Sequence, residues 1–139
     1  MSRSTDLAQN IISGMTERKP ASIAFVILGQ MWSMKNARIP LKGSHRTIMS
    51  KPAFKFASDF FLQVPSRYRN IRLGSRKEPL RSVVTVFYPS YRQDLDCGLL
   101  YDLLQDCGVV SNDRWIREKH EYAAVDPKNP RVELTLEFI

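Results

Sequence analysis

Three aspartates are the residues of this chain best suited to chemistry. Asp94 and Asp96 stand two apart in "YRQDLDCG", and Asp113 closes the stretch "VVSND" beyond a short apolar segment. Residues two apart point the same way only on extended backbone, so the first two carboxylates can converge on one ion if they precede the next helix. Clustered acids repel unless a cation sits among them, and hard oxygen donors completed by water suit Mg²⁺ or Mn²⁺ rather than zinc. An ion held this way would polarise a phosphate, lower the pKa of a bound water and stabilise charge on a departing oxygen. A structural reading stands beside it: Asp96 caps a helix, Asp94 makes a turn, and Asp113 pairs with Arg114 or another cation.

The elements that must position these acids are legible around them. Leu99, Leu100, Leu103, Leu104 and Cys107 recur at three and four, which predicts a helix from Cys97 to Cys107 with one buried stripe, ended by Gly108. A helix of about eleven residues separates its ends by ~16 Å, so Asp113 joins the pair only if residues 109–113 run back along the helix. Upstream, "IAFVILG" and "SVVTVFY" read as buried strands. Between them, residues 30–49 form an ordered loop or short hairpin, and a helix starts at Ser50, which caps it, with Pro52 in its first turn. Its apolar face is read as Phe54, Ala57, Phe61 and Val64, and Pro65 stops it.

Downstream, a strand covers roughly residues 115–123, "DPKNP" turns, and Val132, Leu134, Leu136 and Phe138 alternate along a half-buried strand. Leu7, Ile11, Ile12 and Met15 predict an amphipathic helix over residues 6–16. Strands interleaved with helices and closed by a hairpin give an α+β fold: a single domain with a mixed β-sheet flanked by helices. The expected division is an amino-terminal helical extension over 1–20 and the domain itself over 21–139.

The chain's 139 residues can bury a core without disulfides or structural metal. The longest apolar run, Ile23 to Leu28, is too short to cross a bilayer, so a cytoplasmic protein with no membrane contact is expected. Cys97 and Cys107 would lie ~15 Å apart on one helix, too far to bridge, and read as free buried thiols of a reducing compartment. His45 and His120 are isolated from each other and from the cysteines, so no zinc spacing exists.

Charge is unevenly divided. Residues 1–93 hold 16 basic and 4 acidic side chains, net +12, whereas residues 94–139 hold 5 and 10, net −5. A protein that holds a polyanion on one surface and collects carboxylates at a chemical centre needs such asymmetry; drift of surface composition also produces it. Lys35, Arg38, Arg46, Lys51 and the run from Arg67 to Arg81 suit phosphate contacts of low sequence preference, or are simply solvated. Arg92 beside the acidic pair offers a guanidinium fork for two phosphate oxygens. Trp32, Tyr88 and Tyr91 suit base stacking or the core.

"RQDLD" followed by "LLYDLLQDCGVVSND" resembles the core motif of the RusA family of Holliday-junction resolvases: D-L-D, a helix carrying F/Y-D-x-L, a glycine, and an N/D-D pair. Tyr101, Asp102 and Leu104 match the helix element, Gly108 the glycine, and Asn112 and Asp113 the pair. Upstream, "ILGQMWSMKN" is similar to the family's opening strand and G-x-P-x-S-x-N loop through Gly29, Ser33 and Asn36. "SKPAFKFASDF" is similar to its S-K-x-Y/F helix, and "KNPRVELTLEF" to its closing strand, so the resemblance spans residues 21–139.

The resemblance implies a RusA-like two-fold homodimer that resolves Holliday junctions by paired, Mg²⁺-dependent phosphodiester hydrolysis in DNA recombination and repair. It implies that Asp94, Asp96 and Asp113 are catalytic and hold Mg²⁺, with Mn²⁺ able to substitute and no organic cofactor. Four-way or branched DNA would be bound by Lys35, Asn36, Arg38, Arg46, Lys51, Arg92 and Lys119. The chain departs from the pattern in three places. The segment between Asp96 and Tyr101 is shorter, Trp32 precedes Ser33 without the loop proline, and Cys97 and Gly98 stand near the position of the family's helix lysine. Lys119 in the next strand is a candidate replacement for that lysine. These departures define two rivals: a non-catalytic or weakly catalytic branched-DNA-binding protein of the same fold, and a basic structural domain whose aspartates only cap and solubilise.

Overall fold

The computed structural model of the chain describes residues 20–139, so the helix expected over residues 6–16 lies outside the described residues. In chain order the elements are β1 (Ser22–Leu28), α1 (Met34–Ala37), β2 (Arg38–Pro40), β3 (Thr47–Met49), α2 (Lys51–Gln63), β4 (Leu80–Tyr88), α3 (Gly98–Asp106), β5 (Ile116–Val125) and β6 (Arg131–Phe138). Two short 3₁₀ turns, Ser66–Tyr68 and Asp113–Trp115, lie in the connections.

Period-two alternation builds one mixed sheet in the order β1-β6-β4-β5. β6 runs antiparallel to both β1 and β4, and β4 runs parallel to β5. One face carries Ile23, Phe25 and Ile27 of β1, Val84 and Val86 of β4, and Val132, Leu134 and Leu136 of β6, all buried. Phe56 and Phe60 of α2 and the leucines of α3 complete that core. The domain is therefore α+β with a mixed sheet, as its alternation of elements implies.

The closing strands are not a hairpin, contrary to expectation. β4 lies between β5 and β6, because β4, α3 and β5 form a strand-helix-strand crossover that makes β4 and β5 parallel neighbours. The turn after β5 spans the end of β4, where Asp126 N–H donates to the Tyr88 carbonyl at 2.8 Å. Asp126 Oδ1 accepts from the Lys128 and Asn129 amides at 3.2 Å each, which closes the turn as an Asx motif.

α2 starts as read: Ser50 Oγ accepts from Ala53 N–H and Pro52 sits in the first turn. Its buried stripe, however, is Ala53, Phe56, Ala57, Phe60 and, at the cap, Val64, while Phe54 is 64% and Phe61 37% exposed. The phenylalanines of "FKF" and "FF" offer two stripes one residue apart, and the stripe holding Ala53 and Ala57 lets the helix approach the sheet closely. α3 buries Leu99, Leu100, Leu103, Leu104 and Cys107 as its periodicity predicts, and Tyr101 with them. Gly108 ends the helix at φ +71°, and a Cβ there would lie 2.6 Å from Asn70 Oδ1.

Both cysteines are free and buried, and burial pushes the Cys97 thiol up to about 12 and the Cys107 thiol up to about 11. No helix among the described residues is long and apolar enough to cross a membrane.

Candidate functional site

Asp94 and Asp96 lie on the connection that leads from β4 into α3, ahead of the helix. The Tyr88 hydroxyl, at the buried end of β4, donates to the Asp94 carbonyl at 3.1 Å and fixes the start of this segment. The Asp96 carboxylate accepts two backbone amides: Gly98 N–H on Oδ1 at 2.9 Å and Met34 N–H on Oδ2 at 3.0 Å. From the position before the N-cap Cys97 it thus holds the first amide of α3 and ties α1 to it, a capping role one residue earlier than the N-cap itself. Gly98 makes this approach possible, since a Cβ there would stand 2.6 Å from Met34 Cγ and 3.2 Å from Asp96 Oδ1. The Asp94 carboxylate forms no hydrogen bond or ion pair among the described residues.

Both aspartates line an open cavity of about 580 Å³ together with Ser33, Lys35, Lys119 and Glu121. Lys119 and Glu121 are alternate residues of β5, in register with Ser82 and Val84 on the helix-covered face of the sheet. Tyr101 links them to the core. Its hydroxyl donates to Glu121 Oε2 at 2.8 Å, shares a 2.9 Å hydrogen bond with buried Ser82 Oγ, and its ring lies 4.3 Å from Lys119 Nζ. Burial and the neighbouring Glu121 raise the Tyr101 phenol well above its ordinary range; only its hydrogen bond to Ser82 pulls the other way. A second cavity of about 200 Å³ shares Ser33, Lys35 and Asp94 and adds Trp32, Asn36 and Arg92. Three acids, Asp94, Asp96 and Glu121, two lysines and an arginine therefore border these two adjoining cavities.

Asp113 is elsewhere. It opens the 3₁₀ turn Asp113–Trp115, with its N–H donating to Gln105 Oε1 at 2.9 Å. The Asp102 carboxyl is pushed up by burial first and then by Asp113 and Asp106, with Arg38 opposing. Among the described residues no three His, Cys, Asp or Glu side chains gather into a group able to hold a metal ion. Asp94, Asp96 and Asp113 are thus not brought into one such group among the described residues. The chain after α3 passes Gln105 and comes close enough to Asp102 for Asp113 to act on it, while Ser111 N–H donates to the Leu73 carbonyl at 2.9 Å and Val110 bridges Leu73, which holds the loop against residues 70–74.

The other cations expected at DNA divide by location. Lys35, Asn36 and Arg92 border the acidic recess, and Lys119 enters it from β5. Arg38 lines a separate cavity of about 180 Å³ with Asp102 and Asp106. Arg46 sits in the loop of the β2-β3 hairpin, and Lys51 is the exposed first residue of α2. Tyr88, 2% exposed, belongs to the core and is not available for stacking, whereas Tyr91 is 92% exposed. Glu121 escaped the sequence reading, although strand alternation puts it on the face of Lys119.

No protein-family model matches this sequence, and no curated protein matches it.

Proposed function

We propose that this chain is a RusA-like, structure-selective endodeoxyribonuclease that acts as a cytoplasmic homodimer on four-way or branched DNA. The observation that carries the reading is the recess in which Asp94 and Asp96 stand beside Lys35, Lys119 and Arg92. Carboxylates there suit a hard divalent cation, and the surrounding cations suit the phosphate that must approach it. Lys35 and Arg92 bind and orient the phosphate, and Lys119 neutralises charge that develops on it, in place of the family's helix lysine. Asp94 and Asp96 would hold Mg²⁺, which when bound supplies an activated water and stabilises the departing oxygen.

One chain provides two carboxylates to such an ion, and Mg²⁺ commonly completes its shell with water and substrate phosphate. Glu121 lines the same cavity, but its carboxylate is held by the Tyr101 hydroxyl; we take the aspartate of the resemblance to come from a second copy, because a chain's own Asp113 is tied to Gln105, near the end of α3. The division of the acids thus favours a homodimer as the acting form.

Cleavage of a labelled synthetic four-way junction, beside a matched linear duplex, with Mg²⁺ and with EDTA, tests it. Paired nicks are expected in the junction alone, and only with metal. Mixing tests the sharing: Asp94→Asn and Asp113→Asn are each inactive as homodimers, while a mixed dimer retains one wholly wild-type site and nicks the junction. Mixed variants that stay inactive would sink the shared site.

A second reading is a branched-DNA-binding protein of the same fold that cuts weakly or not at all. It is favoured by Asp96, both of whose oxygens are already committed to backbone amides. Salt-sensitive junction binding without nicks in Mg²⁺ or Mn²⁺ selects it.

A further inference from the structure

We infer that the outer edge of β5 is the surface on which a second copy of this chain docks, as an antiparallel strand centred on His120. The inference rests on the homodimer of the proposed function and names its interface. The sheet has two edges. On β1, the Gln63 side chain donates to the Leu28 carbonyl at 2.9 Å and accepts from Leu28 N–H at 2.7 Å, so its amide occupies the end of that edge as a strand would. β5 pairs only with β4 in the sheet, is the longest strand at ten residues, and contains no proline. Among the described residues no side chain or strand occupies its outer edge, whereas the β1 edge is capped at Leu28.

Charge selects the register. Two copies related by a two-fold axis must centre on a residue that faces its own copy, and directly opposed side chains share a face of the sheet. Centring on Lys119 sets lysine against lysine, and centring on Glu121 sets glutamate against glutamate. Centring on His120 places Lys119 opposite Glu121 twice, on the helix-covered face, and Glu118 opposite Tyr122 on the other. Edge-strand lysines usually discourage pairing; here the reciprocal glutamate converts Lys119 into a specific contact. Glu118 already holds His120 Nε2 at 2.6 Å, so the two histidines meet beside a carboxylate. The same register sets Ile116 opposite Ala124, so the two acidic recesses open on one continuous sheet.

The test uses the full chain without DNA or metal, in sedimentation velocity. Wild type is expected to sediment as a dimer, Lys119→Glu and Glu121→Lys each to lose the dimer boundary, and the double exchange to regain it. Both side chains also touch Tyr101, so a second variant acts from the opposite face. His120→Cys sets two thiols opposite each other at ~4.5–5.5 Å between Cβ atoms. An added oxidant removes two protons and two electrons and leaves a disulfide-linked dimer. Cys97 and Cys107, both buried, do not compete. A monomeric wild type, or a dimer that His120→Cys fails to cross-link, overturns the inference. The two readings fail distinguishably: a β5 dimer that cuts no junction removes the nuclease alone, and a monomer that cuts removes the interface and the shared third acid but leaves the nuclease.

Discussion

Replacing Asp96 with asparagine separates its structural from its chemical work. The native carboxylate accepts Gly98 N–H at 2.9 Å and Met34 N–H at 3.0 Å. Asparagine offers one acceptor oxygen and turns an amide N–H toward the other donor. One charge-assisted hydrogen bond is lost and one helix-terminal amide is left without a partner, a cost of ~2 kcal/mol. Unfolding entropy of ~2.1 cal/mol/K per residue, over the 139 residues of the chain, makes that a fall in Tm of ~7 °C. Asp94→Asn touches no bond of its carboxylate among the described residues and should stay within ~0.5 kcal/mol of wild type. Thermal unfolding followed by circular dichroism in EDTA measures both without any contribution from metal. If the two variants unfold at the same temperature, the capping role of Asp96 is refuted and its loss of activity can be assigned to chemistry alone. If only Asp96→Asn is destabilised, Asp94→Asn becomes the variant with which to test cleavage.

Three further outcomes follow from the same neighbourhood. Gly98→Ala puts a Cβ 2.6 Å from Met34 Cγ, so urea unfolding should show a loss of ~1–3 kcal/mol and weaker junction binding as α1, with Lys35, shifts. Tyr101→Phe strips Ser82, fully buried, and Glu121 of their common partner; a loss of ~1–3 kcal/mol is expected in the same assay, and an unchanged midpoint would show the network to be idle. Asp102→Asn should stabilise at neutral pH. The folded-state pKa of Asp102 lies above its usual 3.8, so its ionised form weakens the fold at neutral pH, and the penalty vanishes as pH falls below 3.8. A gain in Tm of equal size above and below that pH would refute the electrostatic cause.

The strands and α3 were legible because their signals are redundant. In "RVELTLEFI" the alternation, the β-branched residues and the preceding turn all agree, and in α3 the leucine stripe and Gly108 agree. The face of α2 was ambiguous because its phenylalanines fit two stripes, and only the sheet decides between them. Strand order was not legible: a turn such as "DPKNP" reads as a hairpin whether or not a third strand lies between its arms. The acidic pair was placed correctly ahead of α3, while Asp113 depended on the path of residues 109–113, which is set by hydrogen bonds to residues 70–74 that no local pattern announces. Lys119 and Glu121 share a face by simple alternation, but their meeting with Asp94 and Asp96 requires the parallel β4-α3-β5 crossover.

Asp96 couples the two halves of the charge division. Residues that carry the positive excess reach the recess through α1, and α1 is held there by the Asp96 carboxylate on Met34 N–H. Residues that carry the negative excess begin at Asp94 and run through α3 into β5. A phosphate drawn to Lys35 therefore approaches an acid whose departure would release the very helix that presents the lysine. A chain built this way cannot relocate Asp96 without loosening its own phosphate contacts, so a third acid is more readily supplied from outside. An antiparallel partner along β5 sets its Ile116, and with it the chain leading from its Asp113, opposite Ala124, near the end of the strand where β4 hands the chain on toward Asp94 and Asp96. If two copies pair as proposed, the division of the acids between the two ends of α3 and the pairing follow from one geometry: a helix too long for its ends to meet, and a two-fold axis that would bring opposite ends together.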